Sequence, residues 1–325
     1  MGKVTAQASP NIAFIKYWGN ENDDLRIPVN SSISMNLKGI YTETSVELDD
    51  QLQATELLLN NQPADETARA RVDHHLNMLQ NQLGLEPQSA RVVSTNNFPM
   101  GAGIASSASA FAALTLATVK ALGVDLSEAE ISSLARLGSG SASRSIPSGF
   151  VVWHKGHSHE TSFAESIASP EHWDLVDVIA VVSKGHKRVG SSAGHLTAQS
   201  SDLQQARVQG AEARLAGVIE AIQQRDFATF ADIVEYDSNL MHAVMMTSRP
   251  ALFYWQPASI QIMDLVRELR LDGVDVCYTL DAGPNVHCIC TAESAPLVNS
   301  HLQAIEGVED ILLAPVGDKA VILDS

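Results

Sequence analysis

The sequence is short of cysteine, of positive charge and of long apolar runs, and each shortage excludes a class of protein. Its 325 residues include three cysteines, Cys277, Cys288 and Cys290, which are too few and too clustered for a disulfide framework. Lys and Arg number 21 against 38 Asp and Glu, and the resulting net charge of -17 argues against general nucleic-acid or anionic-membrane binding. No apolar run approaches the ~18 residues that span a bilayer, and the N-terminus lacks the apolar segment of a secretory signal.

These shortages lead us to expect a globular cytoplasmic protein. Hydrophobic residues make up 45% and charged residues 18%, which is enough to form a substantial core. Cys288 and Cys290 alternate along a predicted strand, so we expect reduced, buried cysteines and no metal site. Because cations are scarce, an anionic substrate would require the few Lys and Arg to be gathered at one site.

Hydrophobic periodicity predicts an α+β chain in two units. Strands are predicted at 11–17, 32–37, 42–48, 90–95, 150–154 and 175–182, and helices at 67–83, at 104–122 and after the capping box that Ser127 opens. Beyond these, the pattern predicts helices at 198–225, 227–243, 260–271 and 295–305, and strands at 274–280, 286–290 and 310–315. We place the boundary between residues 1–185 and 186–325, with a ligand cleft between the two units.

The segment NNFPMGAGIASSASA, residues 96–110, has the composition of a phosphate-binding loop. Gly101 and Gly103 allow close approach of the backbone to a ligand. Ser106 and Ser107 stand at the start of a predicted helix, where free N–H groups and the helix dipole favour a phosphate. The spacing matches neither a Walker A motif nor a dinucleotide fingerprint. A glycine-rich turn with a serine N-cap is the alternative.

A second loop of small residues, GSGSASRS, contains Ser139, Ser141 and a single guanidinium, Arg144. An arginine in this setting suits a carboxylate or phosphate clamp, because its fork binds such groups with two hydrogen bonds. The alternative is a flexible loop with a surface arginine.

Two charged residues stand out in otherwise apolar segments. Lys16 lies inside NIAFIKYWG, and it must either reach an anion or extend to solvent at a sheet edge. Asp281 ends a predicted strand before the tight turn AGPN. It is either an Asx-turn former or a base at the cleft.

Together these segments resemble the GHMP kinase superfamily and, more closely, the mevalonate diphosphate decarboxylase family. The matching text is NIAFIKYWG, PVNSSISMNL, NNFPMGAGIASSASA, GSGSASRS, DSNLMHAV and YTLDAGPN, in this order across nearly the whole chain. The resemblance implies a GHMP-kinase-like two-lobed fold, with an N-terminal ribosomal-protein-S5-like α/β lobe, a C-terminal ferredoxin-like α+β lobe and a cleft between them. It also implies a homodimer that uses ATP and Mg²⁺.

The resemblance further implies a reaction and a set of roles. ATP would phosphorylate the tertiary 3-hydroxyl of a 5-phosphorylated mevalonate, and phosphate and CO2 would then leave to form an alkene. Asp281 would orient or deprotonate the hydroxyl, Lys16 would stabilise charge near the reacting oxygens, and Arg144, helped by Asn11, would hold the carboxylate. The substrate's phosphate end would be bound by Tyr17, Ser139, Ser141 and Ser191, and the ATP phosphates, with Mg²⁺, by Gly101, Gly103, Ser106 and Ser107.

Two positions depart from the family pattern. Asn20 stands where members that use the diphosphate carry Lys after YWG, and Ser192 stands where they tend to carry a further basic residue. Since a charge-assisted contact contributes ~1.5–3 kcal/mol, the sequence predicts mevalonate 5-phosphate as substrate and isopentenyl phosphate as product. If His195 or Lys187 replaces the missing cations, the substrate is the 5-diphosphate and the product isopentenyl diphosphate.

Three other functions fit the sequence less well. A mevalonate-type kinase without decarboxylation would have little use for the carboxylate clamp at Arg144. An ATP-independent decarboxylase of a 3,5-bisphosphate would not need Asp281 and the serine loop. A non-catalytic binding protein on the same fold would be expected to have lost Asp281, Lys16 or Arg144, and the chain retains all three.

Overall fold

The elements form where the sequence alternates or repeats its apolar residues. A computed structural model describes residues 2–98, 106–183, 185 and 190–323, with the side chains of Ser191 and Ser192 excepted. In this part the strands are β1 (Val4–Ala8), β2 (Asn11–Ile15), β3 (Asn20–Asn22), β4 (Ile27–Pro28), β5 (Ser32–Asn36), β6 (Thr42–Leu48), β7 (Glu56–Leu59), β8 (Gln62–Pro63), β9 (Ala90–Asn96), β10 (Phe150–Trp153), β11 (Ala164–Ala168), β12 (Leu175–Val181), β13 (Val276–Thr279), β14 (Val286–Thr291), β15 (Asp310–Pro315) and β16 (Val321–Leu323).

The α-helices of the described residues are α1 (Glu66–Gln82), α2 (Ser106–Ala121), α3 (Glu128–Gly138), α4 (Ser191–Thr197), α5 (Gln204–Gln209), α6 (Ala211–Gln224), α7 (Phe227–Thr247), α8 (Pro257–Leu271) and α9 (Ala295–Gln303). Short 3-10 helices lie at Gly140–Ser145, Pro170–His172 and Ala198–Ser200. The predicted α+β class is confirmed. Within the described ranges, no helix combines the length and apolar character needed to cross a membrane.

The strands form three main sheets and one short hairpin. The first sheet has the order β16-β1-β6-β9-β7-β8, the second β11-β10-β5-β2 and the third β13-β14-β12-β15, while β3 pairs with β4. Pairing is antiparallel except between β7 and β9. β6 alternates buried and half-buried residues along its whole length, as expected of a strand with one face on a core.

Helix α2 packs on β1 and β6 of the first sheet through a face of small residues. Ala108, Ala112, Ala113 and Ala117 are each fully buried there. Without larger side chains in between, the helix axis lies close to the sheet, and this fixes where the start of α2 lies. The capping box at Ser127 is confirmed at the start of α3, where Glu130 completes it.

A second core joins the second and third sheets. Phe14 of β2, Phe150 of β10 and Ile179 of β12 are fully buried in one cluster with Phe230 of α7. The division at residue 185 stays a prediction, because the strands also connect the two parts. β12 lies in the third sheet beside β14 and β15, and β16 returns to pair with β1.

The amphipathic stretch at 198–225 is divided, contrary to the prediction of one long helical segment. Ser201 follows the 3-10 helix in an extended conformation, with its Oγ 2.6 Å from Thr247 Oγ1, and Gly210 separates α5 from α6. Gln204 and Arg207 turn inward to hold the backbone carbonyl of Trp18 at 2.8 and 2.6 Å. These tertiary hydrogen bonds outweigh the helical periodicity.

The three cysteines lie on β13 and β14, buried and not in disulfides, as predicted. Burial raises the pKa of the Cys290 thiol to about 12 and raises the pKa of Cys277 and Cys288 as well. The thiols therefore stay protonated and pack as small apolar side chains.

Candidate active site

Lys16 follows β2 and lies buried against the third sheet. Its side chain is 1% exposed, and its Nζ lies 2.7 Å from Asp281 Oδ1 in an ion pair. The Lys16 backbone N–H donates to Asp237 Oδ2 at 2.7 Å, and its carbonyl accepts from Asn30 Nδ2 at 3.1 Å. Of the two sequence alternatives, the lysine therefore reaches an anion and does not extend to solvent.

Asp237 of α7 fixes the backbone at Lys16, a role that sequence reasoning missed. The carboxylate is fully buried, and Arg214 of α6 donates to its Oδ1 at 2.7 Å while Lys16 N–H holds Oδ2. A buried charge needs such partners to be tolerated. Asp237 belongs to the DSNLMHAV segment, so the resemblance marked the segment but assigned it no function.

Asp281 follows β13 in a turn that the neighbouring strand holds in place. Gly283 N–H donates to the Asp281 carbonyl at 2.7 Å, and Asn285 Oδ1 accepts from Val182 N–H at 2.8 Å. The carboxylate is 28% exposed and points back to Lys16. It is therefore held by the ion pair, with one side open to solvent.

His242 of α7 lies under this turn and was also missed from the sequence. It is 1% exposed and makes backbone hydrogen bonds with Leu280 and Asp281, and its ring lies 5.1 Å from that of Trp255. Burial, and next the charge of Lys16, lowers its pKa to about 3, so the imidazole is neutral. A neutral ring supports the Asp281 backbone without adding charge.

Arg144 lies in the 3-10 helix Gly140–Ser145 and is 3% exposed, not on a flexible surface loop. Its Nε donates to Asn11 Oδ1 at 3.2 Å and to Ser34 Oγ at 3.1 Å, and its Nη1 donates to Ser32 Oγ at 2.6 Å. Burial lowers its pKa to about 10, against the opposing effects of Asp281 and Tyr17. The guanidinium is thus charged at neutral pH and held by neutral oxygens.

Asn11 connects this arginine to the loop that carries it. Its Nδ2 donates to the Ser141 carbonyl at 3.0 Å and to Ser145 Oγ at 2.8 Å, while its Oδ1 accepts from Arg144. The structure thus brings together the four residues predicted as catalytic: Asn11 holds Arg144, Lys16 pairs with Asp281, and Arg144 and Asp281 interact electrostatically.

A row of hydroxyls links α2 to the same loop. Ser107 Oγ lies 3.2 Å from Ser139 Oγ, which lies 3.4 Å from Ser141 Oγ. Ser106 and Ser107 form the first turn of α2, where the backbone N–H groups favour an anion. Gly101 and Gly103 lie outside the described residues. The predicted nucleotide and substrate loops are therefore neighbours at their serines.

Tyr17 lies beside the same loop, against Gly140. Its hydroxyl donates to Asn20 Oδ1 at 2.5 Å, and its ring lies 4.7 Å from that of Trp153 and 4.1 Å from that of His195. Burial raises the pKa of Tyr17 to about 12, so the phenol remains a donor.

His195 fastens α4 to this tyrosine. Its Nδ1 accepts from Gly19 N–H at 2.9 Å, and burial lowers its pKa to about 3. A neutral His195 therefore does not replace the cations that are absent at Asn20 and Ser192. Ser191 begins α4, but its side chain and Lys187 lie outside the described residues, so Ser191 stays a prediction.

Known proteins match this arrangement along nearly the whole chain. The diphosphomevalonate decarboxylase-like N-terminal domain matches residues 8–164, and the mevalonate 5-diphosphate decarboxylase C-terminal domain matches residues 177–314. The diphosphomevalonate decarboxylase of Aspergillus fumigatus is 37% identical over 326 residues, which cover 94% of this chain and 81% of that protein. The chain belongs to the diphosphomevalonate decarboxylase family.

Solved structures of the diphosphomevalonate decarboxylase family share the fold. A structure of the mevalonate diphosphate decarboxylase from Enterococcus faecalis aligns with a TM-score of 0.91 at 36% identity, over 99% of both chains. Another, with a TM-score of 0.93 at 36% identity over 99% of both chains, contains MVAPP, the ATP analogue AMPPCP and magnesium. The predicted two-lobed GHMP-type fold is confirmed, and the chain is an ATP-dependent decarboxylase. The prediction of a monophosphate substrate gains no support, because these relatives are named for the diphosphate.

Proposed function

We propose that this enzyme decarboxylates mevalonate 5-diphosphate, with ATP, to isopentenyl diphosphate, ADP, phosphate and CO2. The observation that carries the proposal is the ion pair of buried Lys16 with partly exposed Asp281, 2.7 Å apart, in the electrostatic range of the clamped Arg144. A base for a hydroxyl and a cation for a carboxylate are the two groups that phosphorylation followed by decarboxylation requires. The names of the relatives favour the diphosphate over the monophosphate.

Asp281 handles the 3-hydroxyl of the substrate in this proposal. The ion pair with Lys16 keeps the carboxylate charged, and a charged carboxylate accepts the hydroxyl hydrogen bond that orients the oxygen for phosphoryl transfer. The Lys16 ammonium then offsets negative charge that develops on the reacting oxygens. His242 and Asp237 hold these two side chains in register.

Arg144 holds the substrate carboxylate during the second half of the reaction. The C–C bond to the carboxylate breaks, its electron pair forms the alkene, and the 3-phosphate leaves with the C–O bonding pair. Because Asn11, Ser32 and Ser34 fix the guanidinium, the carboxylate is presented in one orientation.

The ATP phosphates lie, in this proposal, at the start of α2. Ser106 and Ser107 would donate to them there, next to the Ser139 hydroxyl that faces the substrate. ATP brings Mg²⁺, which neutralises phosphate charge during transfer and takes oxygen ligands largely from phosphates and water. The hydroxyl-lined start of a 16-residue helix fits such a group.

Mevalonate 5-phosphate is the second candidate substrate, and one local observation favours it. Asn20 carries no charge where diphosphate-using relatives are expected to carry Lys. Its Nδ2 donates to Asp23 Oδ1 at 2.9 Å, which places a carboxylate near the substrate's phosphate end. Negative charge there disfavours a second phosphate.

The substrate test compares kcat/KM for the two phosphorylated mevalonates at saturating ATP and Mg²⁺, in wild type and in Asn20→Lys. We expect wild type to prefer the diphosphate, and Asn20→Lys to increase that preference about tenfold through one added charge-assisted contact. Gln51→Lys, an exposed position in the turn after β6, adds the same charge elsewhere and is the control. A wild type that turns over the monophosphate alone would replace the proposed substrate with the second candidate.

We also propose a cytoplasmic homodimer. The family resemblance supports the dimer, and the three buried, reduced cysteines suit a reducing compartment. Light scattering coupled to gel filtration tests the assembly, and a mass of 34.8 kDa, that of a single chain, would contradict it.

A further inference from the structure

Arg26 is a cation outside the residues assigned so far. It lies in the turn between β3 and β4, with a backbone φ of 50°, in the left-handed region that non-glycine residues seldom adopt. Its side chain is half-buried, and its Nε donates to the Leu137 carbonyl at 2.9 Å near the end of α3. Backbone strain of this kind persists when surrounding contacts require it.

A second guanidinium lies beside it. Arg71 of α1 donates to the Gly138 carbonyl at 3.2 Å, and it lies 4.5 Å from the centre of the Phe111 ring. Among the described residues neither arginine forms an ion pair with a carboxylate, although the chain carries a net charge of -17. Both guanidiniums instead contact carbonyls of the two residues that immediately precede Ser139.

The positive charge of Arg26 reaches the Tyr17–Asn20 end of the site. Burial is the largest influence on both groups, and it raises the pKa of Tyr17 and lowers the pKa of His195. The charge of Arg26 has a smaller effect, which lowers the pKa of both. The Tyr17 ring lies directly on Gly140, where an added Cβ would come within 2.5 Å of it. Leu137, which holds Arg26, is thus three residues from the glycine that holds Tyr17. Asn20 itself is on β3 of the hairpin whose turn contains Arg26.

We propose that Arg26 binds the distal phosphate of the substrate and supplies the cation that Asn20 does not. The inference rests on the proposed function, because that function identifies the phosphorylated end of mevalonate as the occupant. The Leu137 carbonyl uses one of the five N–H donors of the guanidinium and orients the remainder of the fork. In this arrangement the chain accommodates a diphosphate by moving the cation from β3 to the turn that follows it.

The experiment compares Arg26→Gln and Arg26→Lys with Arg225→Gln as control. Arg225 has a φ of 57° and is exposed at the end of α6, so the control makes the same side-chain change in the same backbone conformation. In Arg26→Gln we expect KM for mevalonate 5-diphosphate to rise at least about tenfold, the effect of one charge-assisted contact. KM for ATP and kcat should change less than about twofold. KM for the monophosphate should rise by a smaller factor than KM for the diphosphate. Arg26→Lys should recover part of the loss.

An Arg26→Gln enzyme whose KM for the diphosphate matches that of wild type and Arg225→Gln would overturn the assignment. A lower kcat together with a lower melting temperature in Arg26→Gln, neither of which Arg26→Lys restores, would also overturn it. These losses would indicate that Arg26 only caps α3.

Titration calorimetry with inorganic pyrophosphate separates this failure from failure of the proposed function. If wild type turns over neither mevalonate, the proposed function is wrong, and an approximately tenfold weaker pyrophosphate affinity in Arg26→Gln still supports Arg26. Equal pyrophosphate affinities in the two proteins contradict it.

Discussion

At the scale of single residues, the sequence reveals a functional group when it breaks a local rule. Lys16 in an apolar strand and Arg144 among small residues break the rule that charges avoid buried positions, and both proved to be buried in a polar network. His242, Asp237 and Arg26 break no rule that a single sequence displays. Their partners lie on other elements, so their roles depend on tertiary contacts.

Asp281→Asn tests the assigned base directly. The amide keeps the size of the side chain but loses the charge, so we expect kcat to fall by about 10²–10⁴-fold, the usual contribution of a positioned acid or base. The melting temperature should fall as well, because the Lys16 ammonium, 1% exposed, loses its carboxylate partner, so activities are compared at a temperature at which both proteins are folded. Asp275→Asn, at an exposed position before β13, is the matched control. An Asp281→Asn enzyme with wild-type turnover would remove Asp281 from the mechanism.

At the scale of elements, periodicity predicted what packs locally and missed what pairs at a distance. β6 and β15 have the predicted bounds, and the capping box at the start of α3 is present. β8 and β16 were missed because two or three residues carry no usable alternation, and each forms only beside a partner strand. Ser294 precedes α9, but its side chain makes no cap bond.

The junction of β2, α6 and α7 makes a separate prediction about stability. Asp237→Leu alone leaves Arg214 without its buried partner and should cost about 3–5 kcal/mol, whereas Asp237→Leu with Arg214→Met should recover most of that loss. Urea unfolding of the two single variants and the double variant measures the coupling. Strict additivity of the two single effects would show that the ion pair does not hold the junction.

At the scale of the whole molecule, an acidic chain buries several of its cations and several neutral histidines. The net charge is -17, yet Lys16, Arg136, Arg144 and Arg207 are each at most 3% exposed. The composition predicted that cations would be gathered at the site of an anionic substrate. The sequence motifs placed Lys16 and Arg144 at that site. The composition could not predict which cations lack carboxylate partners, because that depends on distances between elements.

The buried histidines predict a loss of stability in mild acid. Burial is the largest cause that lowers the pKa of His75, His195 and His242 from 6.5 to about 3, so the folded chain stays neutral at all three while the unfolded chain takes up protons below pH 6.5. Stability is therefore complete above pH 6.5 and declines towards pH 3, by about 1.4 kcal/mol per pH unit for each histidine. Between pH 7 and pH 5 the free energy of unfolding should fall by about 6 kcal/mol from these three histidines.

Urea unfolding at a series of pH values checks this slope. His75→Phe should remove about a third of it, and His301→Phe, at an exposed position in α9, should leave it unchanged. A slope that persists in full in His75→Phe would show that other groups cause the acid sensitivity.

In the proposed mechanism, one site couples phosphorylation of the 3-hydroxyl to loss of the carboxylate. The most direct measurement supplies wild-type enzyme with ATP, Mg²⁺ and mevalonate 5-diphosphate labelled at the carboxylate, and counts ADP and labelled CO2 in the same samples. With Asp281 and Arg144 in a single network, the account predicts one CO2 released for each ADP throughout the time course. ADP formed without CO2 would identify a kinase and contradict the account.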